Sequence, residues 1–260
     1  MTKVKIISDV HLEHYYATQY FPHIGRGDIL ILAGDILCAK HLKTNGYLKN
    51  VYKTFLEDCS NNYTHVLYVM GNHEFWTYNY ESVPKLIREH LPDNVHLLDN
   101  ETVRIGDYNF IGATLWSNFR NANPIEMLDA EMYMNDYKLI RIGSNYRKLR
   151  AQDTLNFHLQ SRDYILQQLE TLKENVFVIT HHAPSYRSVA EKHKTSTCNS
   201  AYCSNLDELI MSHPQIKYFV HGHTHTRFDY MIGESCRVIC NPVGNPHDDP
   251  GYDPHLTITL

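Results

Sequence analysis

Ile216-Lys217-Tyr218-Phe219-Val220-His221-Gly222-His223-Thr224-His225 is a strand-forming run that breaks into a turn of alternating histidines. Residues 216–220 have the β-branched and aromatic character of a buried strand, and glycine lets the chain leave the sheet tightly. On an extended segment residues i and i+2 point the same way, so His223 and His225 can aim at one spot and ligate a metal there. A His-x-His pair alone reads equally as solvated histidines in a polar turn. What raises it is that four other strand ends in the chain finish in the same manner.

Those ends follow one another along the chain. Residues 4–8 form a short β run that stops at Asp9-Val10-His11, where an acid and an imidazole two apart can both face a ligand. Residues 28–33 are nearly continuous apolar, as a central parallel strand covered on both faces must be, and end in Gly34-Asp35. An amphipathic stretch, 47–59, reads as a crossover helix leading to a third strand, 65–70, which ends in Gly71-Asn72-His73-Glu74. Residues 176–180 repeat the pattern and end in His181-His182-Ala183-Pro184. Strand, helix, strand with polar residues at each strand end is βαβ logic, and right-handed crossovers bring such ends to one edge of a sheet. The expected fold class is α/β, with the site at the carboxyl edge.

Outside these blocks the reading is coarser. Residues 82–91 make a helix with Pro84 in its first turn, 101–104 and 109–114 read as antiparallel strands, and Leu115-Trp116-Ser117-Asn118 leads to the crevice. Residues 154–172 carry apolar side chains at helical spacing, 206–211 make a short helix, 227–232 and 236–241 form a hairpin around Gly233-Glu234, and 255–260 form a last strand. Residues 119–149 lose clear periodicity and hold Tyr133, Met134 and the polar triplet Asn135-Asp136-Tyr137. A loop of that length is usually functional, so a cap or lid inserted over the site is expected, with a short helix around 124–132. A surface excursion packed on the body through its aromatics is the alternative.

With 260 residues, 43% apolar and 20% charged, the chain can bury a full core as a single domain spanning 1–260. A net charge of −5 and a pI near 6.4 leave no basic field for nonspecific nucleic-acid binding. No apolar run approaches the ~18 residues that span a bilayer, and Met1-Thr2-Lys3 leads into a strand without a signal-peptide region. A cytoplasmic protein is expected. The six cysteines form neither Cys-x-x-Cys pairs nor a dense secreted pattern and are expected as reduced thiols. Eighteen histidines are more than a core requires, which permits metal chemistry without proving it.

Asp9-Val10-His11, Gly34-Asp35, Gly71-Asn72-His73-Glu74, Thr180-His181-His182 and Gly222-His223-Thr224-His225, in this order, resemble the five signature blocks of the calcineurin-like metallophosphoesterases. Thr114-Leu115-Trp116, Asn135-Asp136-Tyr137, His181-His182-Ala183-Pro184-Ser185 and Cys240-Asn241-Pro242 resemble an uncharacterised bacterial and phage branch. The resemblance implies a four-layer α-β-β-α sandwich with metals at the C-terminal edge of its sheets. It also implies hydrolysis of a phosphoester by a metal-bound hydroxide. Two divalent ions about 3.5–4 Å apart would lower the pKa of a water and clamp the phosphoryl group. By the same resemblance Asp35 bridges the ions, Asp9, His11 and His225 take the first, and Asn72, His181 and His223 take the second. Mixed N and O ligands without thiolate suit Mn, Fe, Zn, Co or Ni.

His73 is not a ligand in that pattern. Beside a ligand it is the candidate general acid for a departing alkoxide, or a donor that only orients phosphate. His182 either contacts phosphate or stabilises its loop. Tyr186 and Arg187, with 119–149, are the candidate substrate-binding wall. Two departures stand out. The family's protein phosphatases carry an aspartate three residues after the bridging one, paired with the catalytic histidine, and an arginine before the Gly-Asn-His-Glu block. Here those positions are Cys38 and Met70. Both argue against a dedicated Ser/Thr protein phosphatase and leave the partner of His73 open between Glu74 and a backbone carbonyl.

The favoured expectation is an enzyme that hydrolyses a small phosphodiester such as a cyclic nucleotide or nucleotide derivative. The alternative is a phosphomonoesterase, a nuclease or a nucleic-acid end-processing enzyme, for which Lys138, Arg141, Arg147, Lys148 and Arg150 supply a local basic cluster or merely a solvated face. A non-catalytic binding module is disfavoured by the intact ligand set.

Overall fold

The apolar runs become stacked strands in the computed structural model, which describes residues 1–14 and 22–260. In chain order the strands are Lys3–Ile7 (β1), Gly27–Ala33 (β2), Tyr63–Val69 (β3), Val95–Leu97 (β4), Glu101–Ile105 (β5), Tyr108–Ala113 (β6), Arg141–Ile142 (β7), Arg147–Lys148 (β8), Val176–Thr180 (β9), Ile216–His221 (β10), Phe228–Ile232 (β11), Cys236–Cys240 (β12) and Thr257–Thr259 (β13). One sheet has the order β13-β1-β2-β3-β4, parallel except for β13. The other has the order β11-β12-β10-β9-β6-β5, with four parallel inner strands and an antiparallel strand at each edge. The β11–β12 pairing is the hairpin expected around Gly233-Glu234.

Side-chain alternation along these strands explains the layers. Ile6, Ile29, Ile31, Leu67 and Val69 of the first sheet meet Phe110, Phe177, Ile179, Val220 and Ile239 of the second in one core. The alternate residues Leu30, Leu32, Val66 and Tyr68 pack on Val51, Tyr52, Phe55 and Leu56 of the helix Tyr47–Asn62. On the far side, Ile111, Val176, Val178 and Phe219 meet Ile165 and Leu169 of the helix Ala151–Thr171 and Ile210 of Asp207–Met211. Period-2 strands between two apolar helix stripes give the four-layer α-β-β-α sandwich. Each fully buried aliphatic or aromatic side chain contributes roughly 1.5–3 kcal/mol.

Backbone hydrogen bonds join the sheets at their carboxyl edge. Asp9 N donates to Gly34 O (2.9 Å), His11 N to Asp35 O (2.9 Å), Gly222 N to His181 O (3.0 Å) and Val243 N to Ser8 O (2.9 Å). The first two tie the turns after β1 and β2, the third ties those after β9 and β10, and the Val243 bond, with His223 N donating to Asp9 Oδ1 (2.9 Å), joins the two sheets.

Residues 119–149 hold the short helix expected around 124–132, set among turns and a two-stranded ribbon. Phe119 to Ala122 is a left-handed turn with φ between 47 and 61°. A helix, Pro124–Tyr133, follows, with Asn123 Oδ1 accepting from Ile125 N (3.0 Å) and Glu126 N (3.4 Å) as its N-cap. After a short turn at Asp136–Leu139 comes the β7–β8 ribbon. Met134, Tyr137, Ile140, Ile142 and Leu149 are buried in the core that also contains the helix Tyr47–Asn62. Among the described residues, no helix is long and apolar enough to cross a membrane. All six cysteines are free thiols.

Candidate metal centre

Parallel strands put their C-terminal ends side by side, and the polar residues that follow them converge. Asp9 and His11 follow β1, Asp35 follows β2, Asn72 and His73 follow β3, His181 follows β9, and His223 and His225 follow β10. Asp9, His11, Asp35, His223 and His225 all have left-handed backbones, with φ between 44 and 68°. That conformation costs roughly 1–2 kcal/mol per L-residue and clusters where function demands it. Glycine makes the close approach possible. A Cβ on Gly71 would overlap the Asp35 carboxylate and the His181 ring.

Three groups of ligand atoms come close enough to share an ion, of which the first two below match the expected ligand set and the third joins His11, Glu13 and His73. In the first, His11 Nε2 and His225 Nε2 are 3.0 Å apart, and Asp9 Oδ1 lies 3.6 Å from His225 Nε2. In the second, His181 Nε2 is 3.0 Å from Asn72 Oδ1 and 3.3 Å from Asp35 Oδ2, and His223 completes the group. Asp35 Oδ2 is also 3.8 Å from His11 Nε2, so one carboxylate stands between the clusters. His223 and His225 do not aim at one spot. Their left-handed backbones break the extended geometry and send one ring to each cluster.

The residues fit divalent cations. His11 Nδ1 donates to Glu13 (3.2 Å) and His225 Nδ1 to Asp248 (3.0 Å), so the neutral rings turn two bare Nε2 lone pairs on each other at 3.0 Å, an arrangement that a cation relieves. His223 Nε2 is buried without a hydrogen-bond partner among the described residues, which is costly unless a ligand is meant for it. Burial opposes charge on His11 and His181, yet the Glu13 hydrogen bond and the Asp35 charge raise His11 to about 9, and Asp35 raises His181 to about 9. Burial also opposes charge on Asp35, yet His181, His73 and His11 hold its carboxyl well below the usual range. Burial and the neighbouring His182 and His181 rings push His223 well below the usual histidine value, as a neutral nitrogen ligand requires. The cluster draws positive charge to its centre, and its mixed N and O donors suit Mn, Fe, Zn, Co or Ni.

His73 is in neither the Asp9–His11–His225 nor the Asp35–His181–His223 group, and shares the third with His11 and Glu13. Its Nε2 is 3.9 Å from Asp35 Oδ2, its ring stacks on Trp76 at 3.5 Å, and its Nδ1 is 2.8 Å from Glu13 Oε1. A carboxylate only accepts, so His73 Nδ1 carries the proton and donates it. The partner is therefore Glu13, neither Glu74 nor a backbone carbonyl. Burial opposes charge on Glu13, but hydrogen bonds from His11 and His73 bring it down to about 2. Glu74 is fully buried and faces the other way. Its carboxylate accepts from the amides of Asp35 (3.1 Å), Ile36 (2.8 Å) and Gly71 (2.7 Å) and from the Tyr68 hydroxyl (2.7 Å). It locks together the turns that carry Asp35 and Asn72. Glu13 went unnoticed in the sequence because it lies two residues past the first block; the short turn Leu12–His14 brings it back under the site.

The centre floors a cavity of about 430 Å³. Trp76, Tyr133 and Tyr202 give it aromatic walls, and the Tyr202 ring stacks on His223 at 4.4 Å. Tyr133, Met134, Asn135 and Asp136 reach it from the 119–149 segment. His182, Tyr186 and Arg187 do not line it. His182 is buried behind His223, at 4.2 Å between ring centres, with Nδ1 3.3 Å from Thr114 O. The short helical turn Tyr186–Ser188 directs Tyr186 to Arg120, 5.2 Å from its ring, and lets Arg187 donate to Met231 O (2.6 Å). Ser188, Val189 and Ala190 form the wall there instead. In the basic cluster, Arg147 pairs with Asp153 (2.7 Å) and Arg141 donates to the carbonyls of Lys138 (2.9 Å) and Ile140 (3.2 Å), as a structural face would.

Paired histidine–carboxylate clusters sharing one aspartate, at the carboxyl edge of an α-β-β-α sandwich, define a metallohydrolase of phosphoesters. The family model for calcineurin-like phosphoesterases matches residues 2–227, and the chain belongs to that family of metal-dependent phosphoester hydrolases. An uncharacterised protein of Acanthamoeba polyphaga mimivirus is 28% identical over 287 aligned positions, covering 100% of this chain and 97% of that one. Two solved structures share the fold. A phosphopantetheinyl hydrolase from Mycobacterium tuberculosis superposes with a TM-score of 0.67 at 16% identity, covering 94% of this chain and 90% of that one. A dimetal phosphatase from Danio rerio superposes with a TM-score of 0.54 at 15% identity, covering 96% and 90%.

Proposed function

We propose that this phosphohydrolase cleaves a small phosphodiester, such as a cyclic nucleotide or a nucleotide derivative. One observation carries the reading: among the described residues that line the cavity there is no lysine or arginine. Met70, 1% exposed, and Cys38 occupy the positions where the family's protein phosphatases carry an arginine and an aspartate. A phosphomonoester dianion needs cationic partners beyond the metals, whereas a diester brings a single charge. The aromatic walls suit a base or another flat group, and a volume of about 430 Å³ lies in the range of small-molecule sites. Free thiols throughout the chain suit a reducing compartment, and the cytoplasm is the proposed location.

Asp9, His11 and His225, with Asn72, His181 and His223 and the shared Asp35, would hold two divalent ions, which would supply an activated water and charge neutralisation at the phosphoryl group. The protein's own part falls to neighbouring residues. His73 holds a proton at Nε2 for the departing oxygen. Glu13 accepts Nδ1–H, which fixes the orientation of the ring. Trp76, stacked on the ring, restricts its rotation. Residues 119–149 act as the cap that screens the reacting centre from bulk water and selects the substrate.

The test compares kcat/KM for bis-p-nitrophenyl phosphate and p-nitrophenyl phosphate with Mn²⁺. The diester is expected to be favoured at least tenfold. A preference for the monoester overturns this reading and makes the chain a phosphatase.

A further inference from the structure

The triplet Asn135-Asp136-Tyr137 lies in the 119–149 segment, and the chemistry above gives it no part. Asp136 is 2% exposed, and its Oδ1 accepts two hydrogen bonds, from Asn72 Nδ2 at 2.8 Å and from Trp76 Nε1 at 2.7 Å. Because a carboxylate only accepts, Asn72 must turn its NH₂ toward Asp136 and its oxygen the opposite way. That oxygen lies 3.0 Å from His181 Nε2, inside the second ligand cluster. An amide turned by half a rotation would present N–H groups to a cation. The second donor is the indole that stacks on His73. Asp136 is itself held in place. Tyr137 OH is 3.1 Å from Thr154 Oγ1 of the helix Ala151–Thr171, and Arg141 N donates to Tyr78 O at 3.0 Å.

We propose that Asp136 is a positioning residue that sets the polarity of the Asn72 amide. The ion held by Asn72, His181 and His223 then depends on the 119–149 segment, whereas the ion held by Asp9, His11 and His225 does not. The proposal rests on the two-ion reading above. It makes the segment a working part of the metal centre as well as a wall of the cavity.

The test titrates Mn²⁺ into metal-free wild type and Asp136→Ala by calorimetry, with bound metal counted by elemental analysis. Wild type is expected to take two ions. Asp136→Ala is expected to bind the first within about twofold of wild type and the second about 10–100-fold more weakly, the usual scale for losing a ligand's outer partner. A merely structural role would lower the melting temperature and weaken both ions alike. Equal weakening of both, or two ions at wild-type affinity, overturns the proposal. A wild-type chain that binds only one ion overturns the two-ion reading, and the proposal with it.

If Asp136→Ala does not fold, the exchanged pair Asn72→Asp with Asp136→Asn keeps donor facing acceptor. It is expected to bind the second ion at least tenfold more tightly than Asn72→Asp alone, in which two carboxylates face each other. A double variant no better than the single one overturns the proposal.

Discussion

The Glu13 carboxylate lies 2.8 Å from Nδ1 of His73, although 60 residues separate them in the chain. The same oxygen is 3.2 Å from Nδ1 of His11, so one buried acid orients both a metal ligand and the proposed proton donor. Cys38, at the position from which related phosphatases supply an acid, instead donates from Sγ to the His73 carbonyl at 3.2 Å.

Glu13→Gln removes that charge while keeping an acceptor at Nδ1. We expect kcat on diesters with alkoxide leaving groups to fall about 10–100-fold. The loss should be several-fold smaller on nitrophenyl esters, which leave without a proton. Steady-state kinetics on both substrate types checks this, and an equal loss on both would remove Glu13 from proton delivery.

His73→Ala should leave metal content unchanged, because its ring is in neither the Asp9–His11–His225 nor the Asp35–His181–His223 group. Turnover of alkyl esters should drop by about 10²–10⁴-fold, the range of general acid–base catalysis, with a markedly smaller drop for nitrophenolate. Elemental analysis alongside the kinetics separates lost chemistry from lost metal.

Gly71→Ala places a methyl group against the Asp35 carboxylate, the Asp35 amide and the His181 ring. These are held by the sheets and cannot retreat, so the variant should lose about 1–3 kcal/mol of stability. It should also bind less metal than wild type. Thermal unfolding and metal analysis test both, and a wild-type result in each would mean that the turn relaxes freely.

Acid should weaken the fold through His158, on the helix Ala151–Thr171. Burial pushes its imidazole down to about 4, whereas the unfolded chain takes up the proton near 6.5. Between those values the unfolded state binds more protons. Stability therefore falls as pH drops through that window, by up to about 1.4 kcal/mol per pH unit for this one group. Urea unfolding at pH 7 and pH 5 should show the decline, and His158→Leu should show a shallower one.

Much of this was legible in the sequence because parallel strands buried on both faces are short apolar runs, and the polar residues that end them have nowhere else to point. Asp9, Asp35, Asn72 and His181 stand out for that reason. The helix expected over 47–59 continues to Asn62, and the one expected from 154 starts at Ala151, where Asp153 accepts the Arg150 amide at 2.9 Å. Beyond the helix expected around 124–132, the 119–149 segment was opaque because its other pieces are too short for any period to emerge. Two-residue strands and a left-handed turn at Arg120 and Asn121 leave no hydrophobic repeat. Glu13, and the pairing of Asp136 with Asn72, were hidden for another reason: each acts across more than fifty residues, and no local pattern marks such a contact. Tyr186 and Arg187 misled because proximity in sequence to His181 says nothing about which way a helical turn throws a side chain.

A two-ion centre with Asp35 shared between its halves fixes the number of ions per chain, which elemental analysis counts in wild type and in Asp35→Asn. Two ions per wild-type chain are expected, with fewer than one retained and turnover abolished in Asp35→Asn. Two ions and normal turnover in that variant would contradict the account.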